Sequence, residues 1–161
     1  MRLEGSCHCR AVTFSLESSS PCPYQLCYCS ICRKVGGSGG FGINIGGDAR
    51  TMQVQGEEHL ATYRAKMRGD TGEVTESGAQ RRFCRECGSH LWLYDPRWPD
   101  LIHPYASAID SPLPPPPERT HLMLNSKPAW VQASVGPTDK SFQGYPEESL
   151  ADWHMRTGVG Q

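Results

Sequence analysis

A short alternation of apolar and polar residues near the start of the chain gives the first structural signal. From Val12 to Leu16 the two kinds of residue alternate, which is the period of a half-buried strand. Strand-like segments then recur along the sequence, at residues 24–28, 41–45, 51–54, 60–64, 90–94, 101–109, 121–124 and 130–133. Glycine or proline lies in nearly every gap between them. This spacing predicts a mainly β fold of short, mostly antiparallel strands.

The pattern changes near the end of the chain, where one segment has helical signals. It opens with proline and acidic residues and closes with Arg156 and Gly158, an order that suits the dipole and the ends of a helix. Trp153 lies on its apolar face. We therefore predict a short C-terminal helix that docks on the β core. It belongs to a tail of residues 136–161, which follows a main domain of residues 1–135.

Composition narrows the class of protein further. The 161 residues are enough for one domain, but only 37% are hydrophobic, and 17 glycines and 13 prolines favour loops over long helices. A small apolar core of this kind usually needs cross-links, and bound metals are one kind. The formal net charge of −1 gives no electrostatic reason to expect nucleic acid or an anionic membrane as a partner.

The sequence carries no sign of a membrane span or of an export signal. No apolar stretch approaches the roughly 18 residues that a span needs, and the first residues lack a hydrophobic region of the signal-peptide type. We therefore expect a cytoplasmic protein whose thiols are reduced. In a reducing compartment disulfides are rare, so clustered cysteines favour metal binding.

Seven of the eight cysteines fall into three tight clusters. The clusters contain two, three and two cysteines: Cys7 and Cys9, then Cys27, Cys29 and Cys32, then Cys84 and Cys87. Four thiolates complete a tetrahedral zinc site, whereas three leave one position for water or substrate. The counts therefore predict two zinc ions, one that holds the fold and one that takes part in chemistry.

The outer group, formed by Cys7, Cys9, Cys84 and Cys87, is predicted to hold the structural zinc. Cys84-x-x-Cys87 followed by glycine is typical of a zinc knuckle, in which a tight turn directs two sulfurs at one ion. One knuckle cannot complete a tetrahedron, and Cys7 and Cys9 can supply the other two ligands. The alternative is a redox pair of Cys84 and Cys87, but that motif belongs near a βαβ pattern, which the sequence does not show.

The inner group, formed by Cys27, Cys29 and Cys32, is predicted to hold a reactive zinc with an open coordination position. Alternate side chains of a strand point to opposite faces, so a local turn must bring Cys27 and Cys29 to one ion. Such a metal can bind a thiol as thiolate or polarise a carbonyl. The alternative is a closed site with a fourth ligand, for which the candidates are Cys22, His59, His90 and His103.

Polar residues beside the clusters supply further candidates. His8 lies inside the first cluster, and we expect its side chain to point away from the metal. Arg33 and Lys34 directly follow the inner group, either as solvated charges or as groups that meet a substrate carboxylate. The candidates for a general acid or base are Asp95, Asp110, Glu57 and His103.

Three ordered motifs give the chain a resemblance to a known family. Residues 5–14 carry a Cys-x-Cys knuckle that leads into a strand, residues 27–34 carry Cys-x-Cys-x-x-Cys-Arg-Lys, and residues 82–89 contain Phe-Cys-x-x-Cys-Gly-Ser. With these motifs, the chain resembles the glutathione-dependent formaldehyde-activating enzyme family, also known as the Gfa or CENP-V/GFA domain. Arg10 departs from the pattern, because the family commonly has glycine after the first knuckle.

The resemblance implies a fold, a pair of metal sites and an activity. It implies a β-rich, Mss4-like fold, with the outer group on a structural zinc and the inner group on the reactive, catalytic zinc. It also implies a carbon–sulfur lyase that acts on the adduct of formaldehyde with glutathione. The main domain then corresponds to the Gfa-like zinc-binding domain, and the tail lies outside it.

Three hypotheses about function follow. The leading one is a zinc-dependent carbon–sulfur lyase that acts on a thiol–aldehyde adduct, with a small-molecule thiol, glutathione among the candidates, as its partner. In the second, the same zinc acts as a Lewis acid on another electrophile, such as a lactone. In the third, the chain is a non-catalytic, zinc-stapled interaction module, which needs no open metal.

Overall fold

The protein is built mainly from short β-strands. The structure, a computed structural model, describes residues 1–36 and 38–160, so that Gly37 and Gln161, the last residue of the predicted tail, lie outside it. The strands within these ranges are β1 (Arg2–Ser6), β2 (Thr13–Glu17), β3 (Gln25–Cys27), β4 (Gly47–Asp48), β5 (Gln53–Gln55), β6 (Leu60–Tyr63), β7 (Lys66–Arg68), β8 (Val74–Glu76), β9 (Gln80–Cys84), β10 (His90–Tyr94), β11 (Leu101–Pro104), β12 (Thr120–Leu122) and β13 (Lys140–Ser141). The α-helices are α1 (Ser30–Gly36) and α2 (Leu150–Thr157), and neither is long and apolar enough to cross a membrane. The predicted mainly β fold is confirmed.

Two antiparallel sheets enclose the main core. The larger has the strand order β4-β11-β10-β9-β6, and the smaller has the order β1-β2-β5. Alternate residues of these strands, such as Leu3, Phe14 and Trp92, are buried between them. The rings of Phe14 and Trp92 meet edge to face, with centroids 5.1 Å apart. Full burial of a side chain of this size contributes about 1.5–3 kcal/mol, so the alternation in the sequence is what holds the two sheets together.

A third, small sheet connects the tail to the inner group. β3, which ends at Cys27, pairs in parallel with β12, and β12 pairs in parallel with β13 of the tail. Parallel neighbours need a long crossover connection, which here is the chain between residues 28 and 119. This sheet is the exception to the predicted antiparallel pairing. Through it, the tail helps to fix the strand that carries the first cysteine of the inner group.

The predicted C-terminal helix is confirmed as α2. The Ser149 hydroxyl caps its start by accepting a hydrogen bond of 3.1 Å from the Asp152 amide, and Gly158 ends it in the left-handed conformation with φ 68°. Trp153 is buried and stacks on Tyr24 at a centroid distance of 3.8 Å. This aromatic stack places the helix against the residues that lead into β3. The boundary between main domain and tail at residue 135 stays a prediction.

Two of the predicted strands are wrong. Residues 130–133 contain no strand, because Trp130 is 71% exposed while only its neighbour Val131 turns inwards. Residues 41–45 form isolated bridges instead of a ladder, since Gly42 pairs with Cys27 and Asn44 pairs with a residue near β11. The apolar residues of this second segment do not form one face of a sheet strand. The segment passes between two sheets and forms one isolated bridge on each side.

Candidate metal centres

The outer group is assembled from two turns that belong to different sheets. The first turn follows β1, and the second begins at the end of β9. Each turn ends in a left-handed residue, which is Arg10 with φ 61° after Cys9 and Gly88 with φ 75° after Cys87. Glycine adopts this conformation without the steric cost that a side chain brings. Gly88 therefore takes this conformation freely, and Arg10 takes the same conformation at a cost.

The four sulfurs of the outer group match the geometry of a tetrahedral metal site. They all lie within 4.8 Å of one another, with 3.6 Å between the Sγ atoms of Cys7 and Cys9 and 3.8 Å between those of Cys9 and Cys84. A zinc–sulfur length of about 2.3 Å places tetrahedral sulfurs about 3.8 Å apart. All four cysteines are free thiols. The structure thus brings together the four residues that the sequence predicts, and they can hold one metal ion.

Ser89 braces the outer group from the second turn. Its hydroxyl accepts a hydrogen bond of 3.1 Å from the His8 amide and lies 3.2 Å from Cys87 Sγ. The hydrogen bond from this hydroxyl lowers the pKa of Cys87 to about 5. Metal ions bind the thiolate form, so this contact prepares one ligand. The side chain of His8 is exposed and takes no part in the group, as expected.

The inner group lies where β3 passes into α1. Cys27 is the last residue of β3, Cys29 lies in the bend, and Cys32 belongs to the first turn of α1. Tyr28 between them is buried, and its hydroxyl is 3.0 Å from Nδ1 of His121 on β12. This bend is the local turn that the Cys-x-Cys spacing requires. It brings the three sulfurs within 4.8 Å of one another.

Hydrogen bonds among the three thiols of the inner group shift their pKa values in opposite directions. Hydrogen bonds from Cys27 and Cys32 lower the pKa of Cys29 to about 2. The hydrogen bonds that Cys27 makes with the other two thiols, together with its burial, raise the pKa of Cys27 far above the usual value. One proton therefore leaves easily, and the others leave when a positive ion takes their place. The donor set fits a thiolate-binding metal ion.

Cys22 does not complete the inner group. Its thiol is buried in a separate cluster with Tyr24 and Trp153, 3.5 Å from the carbonyl oxygen of Pro114. Burial raises the pKa of Cys22 to about 11, so it stays protonated. Across residues 1–36 and 38–160, no fourth cysteine, histidine or carboxylate joins the three sulfurs. The alternative of a closed second site finds no ligand in this part of the chain.

The three candidate histidines are placed elsewhere. His59 Nδ1 lies 3.1 Å from a carboxylate oxygen of Glu86. His90 is buried with its ring edge-on to Tyr105, and burial lowers its pKa to about 4. His103 is half-buried and lines a large cavity, and burial also lowers its pKa. His90 and His103 are therefore neutral near pH 7.

Three residues outside the cysteine motifs lie close to Cys32: Gly42, Asn44 and Tyr105. Asn44 Nδ2 lies 3.8 Å from Cys32 Sγ. Gly42 exchanges two backbone hydrogen bonds of 2.9 Å with Cys27, and a Cβ at Gly42 would lie 3.1 Å from both Cys32 Cβ and the Tyr105 ring. A side chain at Gly42 would require these neighbours to shift by a few tenths of an ångström. Sequence reasoning missed Asn44 and Tyr105, because neither belongs to a ligand motif.

A cavity of about 750 Å³ opens between the larger sheet and the tail. The sheet contributes His103, β3 contributes Gln25 and the tail contributes Tyr145. Gln25 precedes Cys27 by two residues on one strand, so their side chains lie on the same face. Burial and the nearby charges of the inner group raise the pKa of Tyr145. The cavity is large enough for a small ligand. None of the three cysteines lines it, but the charges of the inner group reach its wall at Tyr145.

Of the four predicted acid–base candidates, His103 is the one that lines this cavity. Asp95 is paired with Arg97, whose Nη2 lies 2.6 Å from Oδ2, and these hydrogen bonds keep the pKa of Asp95 low. Asp110 accepts a hydrogen bond of 2.6 Å from Ser6, beside the outer group. Glu57 lines a smaller cavity of about 270 Å³ elsewhere on the sheet.

Arg33 and Lys34 follow the inner group on α1. Lys34 is exposed, which is the position of a solvated charge. Arg33 is half-buried, and its Nε is buried with no hydrogen-bond partner in the described chain. The two neighbours therefore differ, and Arg33 is the one that has an unused donor close to the inner group.

Comparison with known proteins places this arrangement among related chains. The profile of the family described as glutathione-dependent formaldehyde-activating enzyme matches residues 2–125. A Halomonas elongata protein, provisionally named as a glutathione-dependent formaldehyde-activating enzyme, is 55% identical over 159 residues, which cover 99% of this chain and 98% of the relative. A crystal structure of a Rhodobacter sphaeroides protein is similar with a TM-score of 0.51 and 25% identity, covering 69% of this chain and 91% of that one.

Proposed function

The chain belongs to the glutathione-dependent formaldehyde-activating enzyme family, and on that premise we propose that it is a zinc-dependent carbon–sulfur lyase. Its substrate is the adduct of a small-molecule thiol with an aldehyde, of the glutathione–formaldehyde type. The observation that carries the proposal is the inner group: its three sulfurs lie within 4.8 Å of one another, and no fourth side-chain ligand joins them among the described residues.

Each cysteine group is proposed to hold one zinc ion. The outer group has four sulfurs at tetrahedral separations, which is the donor set of a structural site. In the inner group, Cys27, Cys29 and Cys32 would hold the ion, and no fourth side chain of the described residues would compete with the substrate for it. When bound there, zinc supplies a Lewis acid that stabilises a thiolate or polarises an oxygen.

His103 is assigned the proton transfer. Its imidazole is neutral near pH 7 because burial lowers its pKa, so it can accept a proton. In the lyase direction, His103 takes the hydroxyl proton of the adduct, the oxygen forms the carbonyl, and the carbon–sulfur bond breaks with its electrons going to sulfur. The imidazolium then returns the proton to the thiolate. The products are the free thiol and the aldehyde.

Asn44 and Tyr105 are assigned the positioning of the inner group. The Asn44 amide lies against Cys32 Sγ and donates towards it at 3.8 Å. Burial raises the pKa of Tyr105 to about 12, so its phenol stays neutral beside the thiolates. A neutral ring that packs against Cys32 limits its movement without adding a second negative charge.

The reduced state of the cysteine thiols supports a cellular location for this activity. All eight cysteines are free, and we place the protein in the cytoplasm, where thiols stay reduced and glutathione-type thiols are available. The proposed partner is this small-molecule substrate, with no role for nucleic acid or a membrane. We assign the chain to the Mss4-like fold, which the two cysteine turns at the ends of separate sheets support.

The test is an assay of the purified, zinc-loaded protein with formaldehyde and several thiols. Cys29→Ala removes one inner ligand, so we expect one zinc ion less per chain and activity lower by at least about 100-fold, because even indirect disturbance of a metal site costs 10–100-fold. A chelator that removes the inner zinc should have the same effect.

The matched control is Cys22→Ser, which changes the cysteine that belongs to neither group and should keep activity. Full activity of Cys29→Ala would contradict the metal-centred mechanism. Activity on a lactone with none on thiol–aldehyde adducts would favour the Lewis-acid alternative. A single zinc ion per chain, whose removal unfolds the protein, would favour the interaction module.

A further inference from the structure

Arg81 on β9 is a buried arginine without a partner. The residue is only 8% exposed, yet no described side chain or carbonyl forms a hydrogen bond or an ion pair with its guanidinium. Buried arginines are rare unless they are paired. Arg97 and Arg156 show the usual behaviour, since Arg97 pairs with Asp95 and Arg156 pairs with Glu148. Arg81 therefore keeps its full set of five donors for something else.

The register of the larger sheet places Arg81 on the face that borders the large cavity. Its cross-strand partner on β10 is Leu93, whose own partner on β11 is His103, so the three residues form one row. Neighbouring strands lie about 5 Å apart, which puts Arg81 and His103 about 10 Å apart across the row. His103 lines the cavity. The next residue, Arg82, points to the opposite face.

The positive charge of Arg81 reaches the cavity wall at Tyr145. There it acts against the burial and the other charges that raise the pKa of Tyr145. A plain counter-charge for the thiolates is the simplest role for it. However, no sulfur of the inner group accepts a hydrogen bond from Arg81. Charge compensation alone leaves the donors of a largely buried guanidinium without an acceptor among the described residues.

We propose that Arg81 binds a carboxylate of the substrate while the sulfur end of the same molecule lies at the inner group. The planar guanidinium matches a carboxylate with two parallel hydrogen bonds. The substrate class is then a thiol adduct that carries a carboxylate several bonds from its sulfur, as a peptide thiol does, rather than a simple uncharged thiol. This inference rests on the proposed function for the sulfur end of the substrate.

The test measures binding without turnover. S-methylglutathione keeps both carboxylates of glutathione but has no free thiol, and its affinity for the metal-loaded protein is measured by titration calorimetry. Because a hydrogen bond to a charged group contributes about 1.5–3 kcal/mol, Arg81→Gln should weaken binding by about 10- to 100-fold. Arg81→Lys should recover part of the affinity. The matched control is Arg82→Gln on the opposite face, where Arg82 donates to Thr62, and it should bind as the unchanged protein does.

A second measurement uses the unchanged protein and keeps the proposal testable if Arg81→Gln does not fold. The dimethyl ester of S-methylglutathione lacks both carboxylates and should bind about 10- to 100-fold more weakly than the acid. Equal binding of acid and ester, unchanged affinity in Arg81→Gln, or absence of binding by the unchanged protein would each overturn the inference. Arg81-dependent binding in a protein that does not cleave thiol–aldehyde adducts would overturn the proposed function alone.

Discussion

The outer and inner cysteine groups use the same ligand atom but connect different amounts of the chain. The outer group joins a turn after β1 to a turn after β9, whereas the inner group takes all three sulfurs from six consecutive residues. A metal in the outer group closes a long loop, and a metal in the inner group closes almost none. Closing a long loop is where a cross-link gains most in conformational entropy. The first group therefore suits stability, and the second is free to serve chemistry.

The two groups also differ in what supports them. The outer group is braced by its own turn, through Ser89 and the left-handed Arg10 and Gly88. The inner group is braced from outside, by the bridge to Gly42 and by the parallel sheet that reaches into the tail. Damage far along the chain should therefore reach the inner group and spare the outer one.

The largest expected effect comes from Cys84→Ser in the outer group. Binding of a structural metal contributes directly to folding free energy, so this variant should lose its outer metal and its cooperative thermal transition. Cys29→Ser in the inner group should keep that transition, because its metal closes no long loop. Circular dichroism melts with metal analysis of both variants check this. Equal melting temperatures would remove the distinction between the groups.

The next effect concerns the tail that supports the inner group. Trp153→Ala removes a buried ring that stacks on Tyr24, and the loss of unfolding free energy should be about 3–5 kcal/mol in urea titrations. The control is Trp130→Ala, where the ring is 71% exposed and little should change. If the tail supports the inner group alone, a chelator should remove the inner metal more easily from Trp153→Ala than from the unchanged protein. Removal of the outer metal should be unchanged. Parallel loosening of both metals would contradict it.

A smaller effect is expected from acid. Asp139 accepts hydrogen bonds from the amides of Gly136 and Arg119, both at 2.8 Å, and these, with its contact to His121, keep its pKa low. The unfolded pKa is about 3.9, so the stability from Asp139 is complete above that pH and is lost as pH falls through the lower, folded value. The tail and β12 should therefore loosen below about pH 4.

The matched variant for the acid effect is Asp139→Asn, which cannot ionise. It should be less stable than the unchanged protein at pH 7 and should lose less stability between neutral pH and pH 3. Denaturant titrations at several pH values measure the difference. The same acid dependence in both proteins would show that other carboxylates control the tail.

The smallest effect is expected at Arg10, the turn residue of the outer group. A side chain with φ 61° pays a steric cost that glycine does not, so Arg10→Gly should raise the unfolding free energy by up to about 1 kcal/mol. Gly88→Ala at φ 75° should lower it by a similar amount, since no atom lies within 4 Å of the added Cβ and the backbone alone decides. Thermal melts of the pair give opposite signs, and equal signs would contradict the explanation.

The sequence carried enough information for the features that repeat locally. The alternation in residues 90–94 predicts β10, whose bounds the structure reproduces as His90–Tyr94. The spacing of the cysteines predicts which sulfurs of one cluster come together, because a turn of three or four residues leaves few other arrangements. The capping residues of α2 are also local signals.

The features that the sequence did not reveal depend on contacts between distant segments. β9 was missed because Arg81 and Arg82 interrupt its apolar pattern, and the burial of Arg81 depends on the tertiary fold rather than on its local sequence. The hairpin of β7 and β8 is exposed at every residue, so no face distinguishes it. Asn44 and Tyr105 reach Cys32 through pairings that no local period encodes.

The separation of the outer ligands along the chain also sets an order during protein synthesis. A nascent chain leaves the ribosome from its N-terminal end, so Cys27, Cys29 and Cys32 emerge well before Cys84 and Cys87. The inner cysteines are therefore available to bind metal before Cys84 and Cys87 of the outer group have emerged. Translation past residue 87 is the moment at which the two ends of the outer group can meet and the nascent domain can close.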